Sequence, residues 1–190
     1  TLGNRAQPFT LHGQPIANFA ATSTFVEKTV VKQQQAVKID AGVPLDRACL
    51  VGCGVMTGVG TVLNRAKVDA GDTAVVFGVG GVGLNVIQGL RIAGASRIVA
   101  IDLLASREAG ARQMGATDFV DASQVDAVEA VKAIFADPVN AMASGVKWAF
   151  ECSGSPRALG NAIACLGWGG SCVIVGTPGE DGLVGSQGDD

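Results

Sequence analysis

The chain has little charge, few aromatic side chains and almost no histidine. It contains no tyrosine and one histidine, and 16% of its 190 residues are charged. The net charge is −3 and there is no basic cluster, which argues against nucleic acid as a partner. The single histidine, His12, lies in a polar turn, where we expect it to be solvent-exposed and without a role in the site.

The chain also has no Cys-x-x-Cys pair. Its cysteines are Cys49, Cys53, Cys152, Cys165 and Cys172. An odd number of thiols without disulfide-like spacing predicts a reducing, cytoplasmic compartment. No signal-like segment opens the chain, and the apolar runs read as too short and too interrupted to span a membrane. The start at Thr1 without methionine, and a stop soon after an apolar run, lead us to expect a fragment of a longer protein.

What is abundant is apolar sequence, at 48% of the residues, which suits a parallel sheet covered on both faces. From Thr73 onwards apolar runs alternate with helical patterns. Strands are predicted at 73–78, 96–101, 118–120, 147–151 and 171–175, and helices at 82–93, 106–114, 125–135 and 156–165. This alternation predicts right-handed crossovers and a doubly wound α/β sheet. Such a sheet commonly has six strands, so we expect the last one to be missing.

The residues before Thr73 are less regular. Residues 1–24 are polar and turn-rich, and short strands are predicted at 29–31 and 36–39. A helix is predicted to begin at Pro44, to be interrupted by the glycines around Cys53, and to be followed by a longer helix from Thr57 to about Lys67. Further along the chain, the predicted helix caps are Ser106, Asp126 and Ser155.

A glycine turn follows the first regular strand. Its residues are Gly78, Val79, Gly80, Gly81, Val82 and Gly83. In a dinucleotide site the first glycine permits the tight turn, the second lets the backbone approach a pyrophosphate, and the third lets the helix pack closely. The free N–H groups of the helix then face the phosphates. Asp102 ends the next strand, roughly 20 residues after Gly83, where an acid accepts hydrogen bonds from a ribose diol.

The residues around Asp102 favour NAD over NADP. No arginine follows it directly, so a carboxylate there would repel a 2′-phosphate that nothing adjacent neutralises. Two other interpretations of the glycines remain open, a purely structural turn and a methyltransferase-type site. The methyltransferase would leave the helix and cysteine motif upstream of the glycines unexplained.

A wider set of motifs resembles the medium-chain, zinc-dependent alcohol dehydrogenases, nearest to the branch that includes glutathione-dependent formaldehyde dehydrogenase. The matching segments are Leu50-Val51-Gly52-Cys53-Gly54, Thr57-Gly58-Val59-Gly60, the glycine turn, Met114-Gly115-Ala116-Thr117-Asp118 and Phe150-Glu151-Cys152-Ser153-Gly154. The resemblance covers roughly residues 15–178. It implies that residues 1–50 are the remnant of a mostly-β, GroES-like catalytic domain with its linker. It further implies that 51–178 form a Rossmann NAD-binding domain without its last strand, and that 179–190 are a tail.

The same resemblance assigns site residues. Cys53 would ligate the catalytic zinc, and Thr57 would lie near the nicotinamide. Arg107, where the family often has lysine, would help Asp102 hold the adenosine half. The segment Val175, Gly176 and Thr177 would meet the nicotinamide amide. Cys53 taken alone is more often a small buried residue than a ligand, and the resemblance is what reverses that preference.

The function implied is oxidation of a primary alcohol, or of a thiol–aldehyde adduct, by hydride transfer to NAD. In the intact enzyme, which we expect to be a homodimer or homotetramer, zinc would polarise the substrate oxygen. The family takes its other zinc ligands from a part of the enzyme that precedes this sequence, so we expect the 190-residue chain alone to be inactive. Two alternatives stay open, a zinc-free oxidoreductase like the quinone reductases and a non-catalytic nucleotide-binding module.

Overall fold

A computed structural model describes residues 9–17, 22–136 and 144–177. The chain divides into two compact units, Thr1–Pro44 and Leu45–Asp190. The division lies a few residues before the domain boundary that the sequence predicts between residues 50 and 51.

The first unit contains a β-hairpin rather than the predicted strands. Strands β1 (Phe9–Leu11) and β2 (Gln14–Ile16) pair antiparallel, and His12 and Gly13 between them have φ of 50° and 78°. Two positive φ values in a two-residue loop are typical of a hairpin turn. His12 is exposed, as predicted.

The strands predicted at 29–31 and 36–39 are wrong. The backbone is irregular there and forms a short 3-10 helix at Gln33–Gln35. Val30 is 95% exposed and Val37 is 85% exposed. The apolar alternation in this segment therefore buries no face against a neighbouring strand, and burial is what stabilises such a pattern.

One long helix, Leu45–Ala66, opens the second unit. It runs through α1 (Leu45–Leu50), a π-helical stretch Val51–Val55, α2 (Met56–Gly60) and a second π-helical stretch Thr61–Ala66. The prediction that the glycines around Cys53 interrupt the helix is wrong, because the chain passes them in a wider π turn that keeps the helix continuous.

This long helix also bears on the question of a membrane. It is the one helix of the described residues that is long and apolar enough to cross a bilayer by length and composition. The expectation that every apolar run is interrupted therefore fails here. Helices packed in the core of a globular domain meet the same criterion, but only 11% of this apolar window is buried in the structure, with Val62 completely buried.

The predicted doubly wound α/β fold is confirmed in the second unit. Within the described residues its parallel sheet has five strands in the order β5-β4-β3-β6-β7. They are β3 (Thr73–Phe77), β4 (Arg97–Asp102), β5 (Asp118–Asp121), β6 (Val146–Glu151) and β7 (Leu166–Ile174). The connecting helices are α3 (Gly81–Ala93), α4 (Glu108–Met114), α5 (Ala127–Ile134) and α6 (Pro156–Ala164).

Helices cover both faces of this sheet. Val86 and Leu90 of α3 pack with Val76 on one face, while Val131 of α5 packs with Val75 on the other. The strand order reverses between β3 and β6, and such switch points are where open α/β sheets bind ligands, beyond the carboxyl ends of the strands.

The predicted caps are confirmed at two helices and wrong at one. The Asp126 side chain accepts from the backbone N–H of Glu129, and the Ser155 side chain caps α6. Ser106 caps no helix, because it lies within a 3-10 turn, Ala105–Arg107, that leads directly into α4.

Candidate functional site

The glycine turn lies at the switch point, and its glycines fall into two kinds of environment, crowded and open. Gly78 has φ of +86°, and a Cβ there would lie 2.8 Å from the Cβ of Ser153. A Cβ on Gly83 would lie 1.9 Å from the carbonyl oxygen of Gly78, so the helix closes directly onto the turn. By contrast, a Cβ on Gly80 or Gly81 would meet nothing within 4 Å. The turn is thus tight on its inner side and open at Gly80.

The open side coincides with the N-terminus of α3. Gly80 is the N-cap residue, and no side chain caps the helix. The first N–H groups of a helix have no partner within the helix and favour an anion. A pyrophosphate fits this position, because the backbone is accessible where a side chain would otherwise stand.

Asp102 lies at the end of β4, next to this turn. Its Oδ2 accepts a hydrogen bond from Val79 N at 2.7 Å, and its Oδ1 accepts one from Leu104 N at 3.0 Å. A carboxylate has about four lone-pair sites, so two remain for other donors. The vicinal hydroxyls of a ribose are donors of the right kind.

A cleft of about 240 Å³ opens beside Asp102. The exposed aliphatic side chains of Leu103 and Val125 form part of its wall, and Arg157 is the positively charged residue that lines it. Its other lining residues are Phe77, Gly78, Ile101, Asp102, Ala122, Asp126, Ala127, Ser153, Ser155, Ala158 and Asn161. Arg107 is not among them. It is exposed at the end of the 3-10 turn, so the structure does not place it with Asp102 in this cleft.

The end of β6 adds Glu151, to which the sequence analysis gave no role beyond its place in a matching segment. Glu151 is buried, and its carboxylate accepts from the backbone N–H groups of Ser153 and Gly154. The backbone carbonyl of Glu151 accepts from Val175 N at 2.8 Å and from Gly176 N at 2.9 Å. The predicted segment 175–177 therefore lies beside Glu151, at the carboxyl end of β7. A lone acid within an apolar strand was the available sequence signal.

Cys53 and Thr57 lie four residues apart on the long helix, and both are exposed. The helix crosses α3 closely, because a Cβ on Gly58 would lie 2.7 Å from the carbonyl oxygen of Val82. In return, a Cβ on Gly89 of α3 would lie 3.1 Å from the Val62 side chain. This reciprocal contact holds the helix that carries Cys53 and Thr57 against the helix that begins at the glycine turn.

The described residues do not by themselves form a zinc site. Across 9–17, 22–136 and 144–177, no group of three or more histidine, cysteine or acidic side chains could hold a metal ion. A catalytic zinc needs three protein ligands, and Cys53 is the one predicted here. The residues present fit a dinucleotide and do not fit zinc.

Comparisons with known proteins agree with the geometry. A family model described as zinc-binding dehydrogenase matches residues 81–186. Alcohol dehydrogenase 1 of Pisum sativum is 40% identical over 182 residues, which cover 95% of this chain and 46% of that protein. Alcohol dehydrogenase class-3 of Oryza sativa subsp. japonica is 41% identical over 175 residues, covering 91% of this chain and 45% of that protein.

Solved structures give the same result. An alcohol dehydrogenase zinc-binding domain protein from Burkholderia ambifaria superposes with a TM-score of 0.79 at 34% identity. The match covers 94% of this chain and 45% of that one. Benzyl alcohol dehydrogenase from Acinetobacter calcoaceticus superposes with a TM-score of 0.76 at 32% identity, covering 88% of this chain and 43% of that one. The chain thus spans about half the length of the relatives it matches.

Proposed function

Since the chain belongs to the zinc-binding dehydrogenase family, we propose that it is the NAD-binding part of an alcohol dehydrogenase. The whole protein would oxidise a primary alcohol, or a thiol–aldehyde adduct, by hydride transfer to NAD. Relatives named alcohol dehydrogenase at about 40% identity support the reaction class. The observation that carries the cofactor assignment is the Asp102 carboxylate held beside an open glycine turn.

Each part of the cofactor has a position in this proposal. The adenosine occupies the cleft beside Asp102, with its ribose hydroxyls donating to the carboxylate. The pyrophosphate lies over Gly80 at the N-terminus of α3. The nicotinamide half then extends to the other side of the turn, towards the ends of β6 and β7, where Gly176 lies. The chain's contribution is orientation and electrostatics, while the cofactor supplies the redox chemistry.

The remaining features of the whole protein are part of the same proposal. Cys53 is offered as one zinc ligand, with the others supplied from outside the described residues. A reducing, cytoplasmic location is supported by the five cysteines, which are all unpaired. A homodimer or homotetramer is proposed from the family resemblance.

The test is calorimetric titration of the chain with NAD and with NADP. We expect NAD to bind more tightly, because the Asp102 carboxylate accepts from a ribose diol and repels a 2′-phosphate. Absence of binding by either cofactor would contradict the proposed function. Equal or tighter binding of NADP would contradict the role of Asp102 and leave the nucleotide site in place.

A further inference from the structure

Glu151 is the one buried charged side chain in the part of the chain that the structure describes, with 1% exposure. Its Oε1 accepts from Ser153 N at 2.7 Å, from Gly154 N at 2.9 Å and from the Ser153 hydroxyl. Its Oε2 accepts from Gly154 N at 3.2 Å. The backbone partners of this side chain are all N–H donors, and a carboxylate accepts from such donors.

Among the residues that the structure describes, no cation pairs with this carboxylate. None of the ion pairs among the described residues includes Glu151, and its hydrogen-bond donors are neutral. Burial raises the pKa of Cys152 to about 12, with the negative charge of Glu151 as a further cause, and the pKa of Cys172 is raised by the same two causes in the same order. In the part of the chain that the structure describes, the negative charge of this carboxylate thus has no ion-pair partner.

The position of Glu151 brings its carboxylate close to the segment that follows β7. A Cβ on Gly176 would lie 2.6 Å from Oε2, so the carboxylate lies directly against the segment after β7. Asp102 marks the adenosine side of the glycine turn, on β4. The loop after β6 contributes Ser153 to the cleft beside Asp102, and the nicotinamide half extends beyond it, towards the segment after β7.

We propose that the buried carboxylate of Glu151 favours the oxidised cofactor over the reduced one. The inference rests on the proposed function. The nicotinamide ring is cationic in NAD and becomes neutral when it accepts a hydride, which delivers two electrons and one proton. A fixed negative charge on this side stabilises the cationic ring and leaves the neutral ring almost unaffected, whereas its repulsion of the pyrophosphate is the same in both forms. Glu151 thus lowers the reduction potential of the bound couple.

The experiment measures the dissociation constants of NAD and NADH for the full 190-residue chain and for four variants. Glu151→Gln removes the charge and keeps an oxygen able to accept from Ser153 and Gly154. Glu151→Met is the second neutral variant, and it also removes the acceptor of the Ser153 and Gly154 N–H groups. Glu151→Asp keeps the charge. Asp118→Asn removes one charge at the amino end of β5, at the opposite edge of the sheet, and is the matched control.

We expect the ratio of the NAD dissociation constant to the NADH dissociation constant to rise roughly tenfold when the charge is removed, which is the magnitude of a charge interaction at intermediate dielectric. The comparison uses whichever neutral variant keeps the wild-type circular dichroism. The ratio should stay within about twofold of wild type in Glu151→Asp and in Asp118→Asn. Equal weakening of NAD and NADH in the neutral variants would overturn the inference and assign Glu151 a purely structural role. Failure of the wild-type chain to bind either cofactor would instead overturn the proposed function.

Discussion

Asp102 and Val79 are joined by a hydrogen bond of 2.7 Å from the backbone N–H of Val79 to Oδ2. The bond ties the end of β4 to the glycine turn that follows β3. The carboxylate proposed to bind the ribose therefore also holds the turn proposed to carry the pyrophosphate. Any change of cofactor specificity made at Asp102 acts on both features.

Asp102→Ser with Leu103→Arg should move the preference from NAD towards NADP. The change removes one negative charge and supplies a cation at a side chain that lines the cleft. Because serine is too short to replace both backbone hydrogen bonds, the affinity for NADP should stay below the wild-type affinity for NAD. Titration of single and double variants with both cofactors gives the ratio, and an unchanged ratio in the double variant would refute the role of Asp102.

Gly80→Val and Gly83→Val should separate binding from folding. The first places a side chain where the backbone is open, so the domain should fold and lose dinucleotide binding. The second forces a Cβ to within 1.9 Å of the Gly78 carbonyl oxygen, so it should cost about 1–3 kcal/mol of unfolding free energy or more. Circular dichroism, urea unfolding and calorimetry distinguish the two results. Retained binding in Gly80→Val would reduce the glycines to a structural turn.

The ion pair of Arg97 and Asp118 should make stability depend on pH. The side-chain hydrogen bond from Arg97 lowers the pKa of Asp118 below its ordinary value of 3.8. A lowered folded-state pKa stabilises the fold above the unfolded-state pKa, and this stability is lost as the pH falls through the folded-state value.

Asp118→Asn should therefore reduce the unfolding free energy by about 1 kcal/mol at pH 7, and the loss should shrink as the pH is lowered from 5 towards 2. Urea unfolding across this range is the measurement. Glu108→Gln breaks the exposed pair with Arg112 and is the control, with an expected change below about 0.5 kcal/mol. A loss in Asp118→Asn that does not depend on pH would contradict the ion-pair explanation.

Thiol labelling at pH 8 should divide the cysteines by exposure. Cys49 and Cys53 are exposed and should react rapidly, whereas Cys152 and Cys165 should react slowly. Burial raises the pKa of each of the latter two to about 12, so very little thiolate is present. Mass spectrometry of partly labelled protein identifies the sites, and labelling in denaturant should reach all the thiols. Fast labelling of Cys165 would contradict its burial.

Purified 190-residue chain should contain well under one zinc per chain and should form no NADH with primary alcohols. One thiolate cannot replace the three protein ligands that catalytic zinc requires. In the whole protein, Cys53→Ala should abolish both the activity and the binding of catalytic zinc. Elemental analysis and an NADH absorbance assay decide both points. Activity of the 190-residue chain would refute the first expectation, and an active Cys53→Ala whole protein would favour the zinc-free oxidoreductase.

The regular part of the fold could be predicted because its signals are local. Apolar runs bounded by glycines and caps such as Asp126 indicated β3 to β7 and their helices to within a few residues, except that β7 begins at Leu166. Its glycine-rich first half, containing Gly167, Gly169 and Gly170, is typical of a turn, and it forms an irregularity between the pairs of Val146 with Leu166 and of Trp148 with Ser171.

Other features depend on contacts that the sequence does not display. The helix through Cys53 stays continuous because packing tolerates a π turn, whereas the local glycines favour a break. Asp102 could be predicted from its spacing, but its bond to Val79 could not, since that bond depends on where two strands end. Glu151 stood within a matching motif, but its burial depends on the position of β6 between β3 and β7.

The close crossing at Gly58 fixes the long helix against α3 at one residue. Each residue advances the chain along the helix axis and rotates it about that axis, by about 100° in the α-helical part that begins at Met56. One residue inserted between Cys53 and Gly58 would therefore rotate the Cys53 thiol to a different side of the helix, while Gly58 remained packed against α3. Homologous chains should vary freely in length through residues 22–44 and keep a constant length from Cys53 to Gly58. Insertion of one residue at each successive position of Leu45–Ala66 would measure this tolerance along the helix.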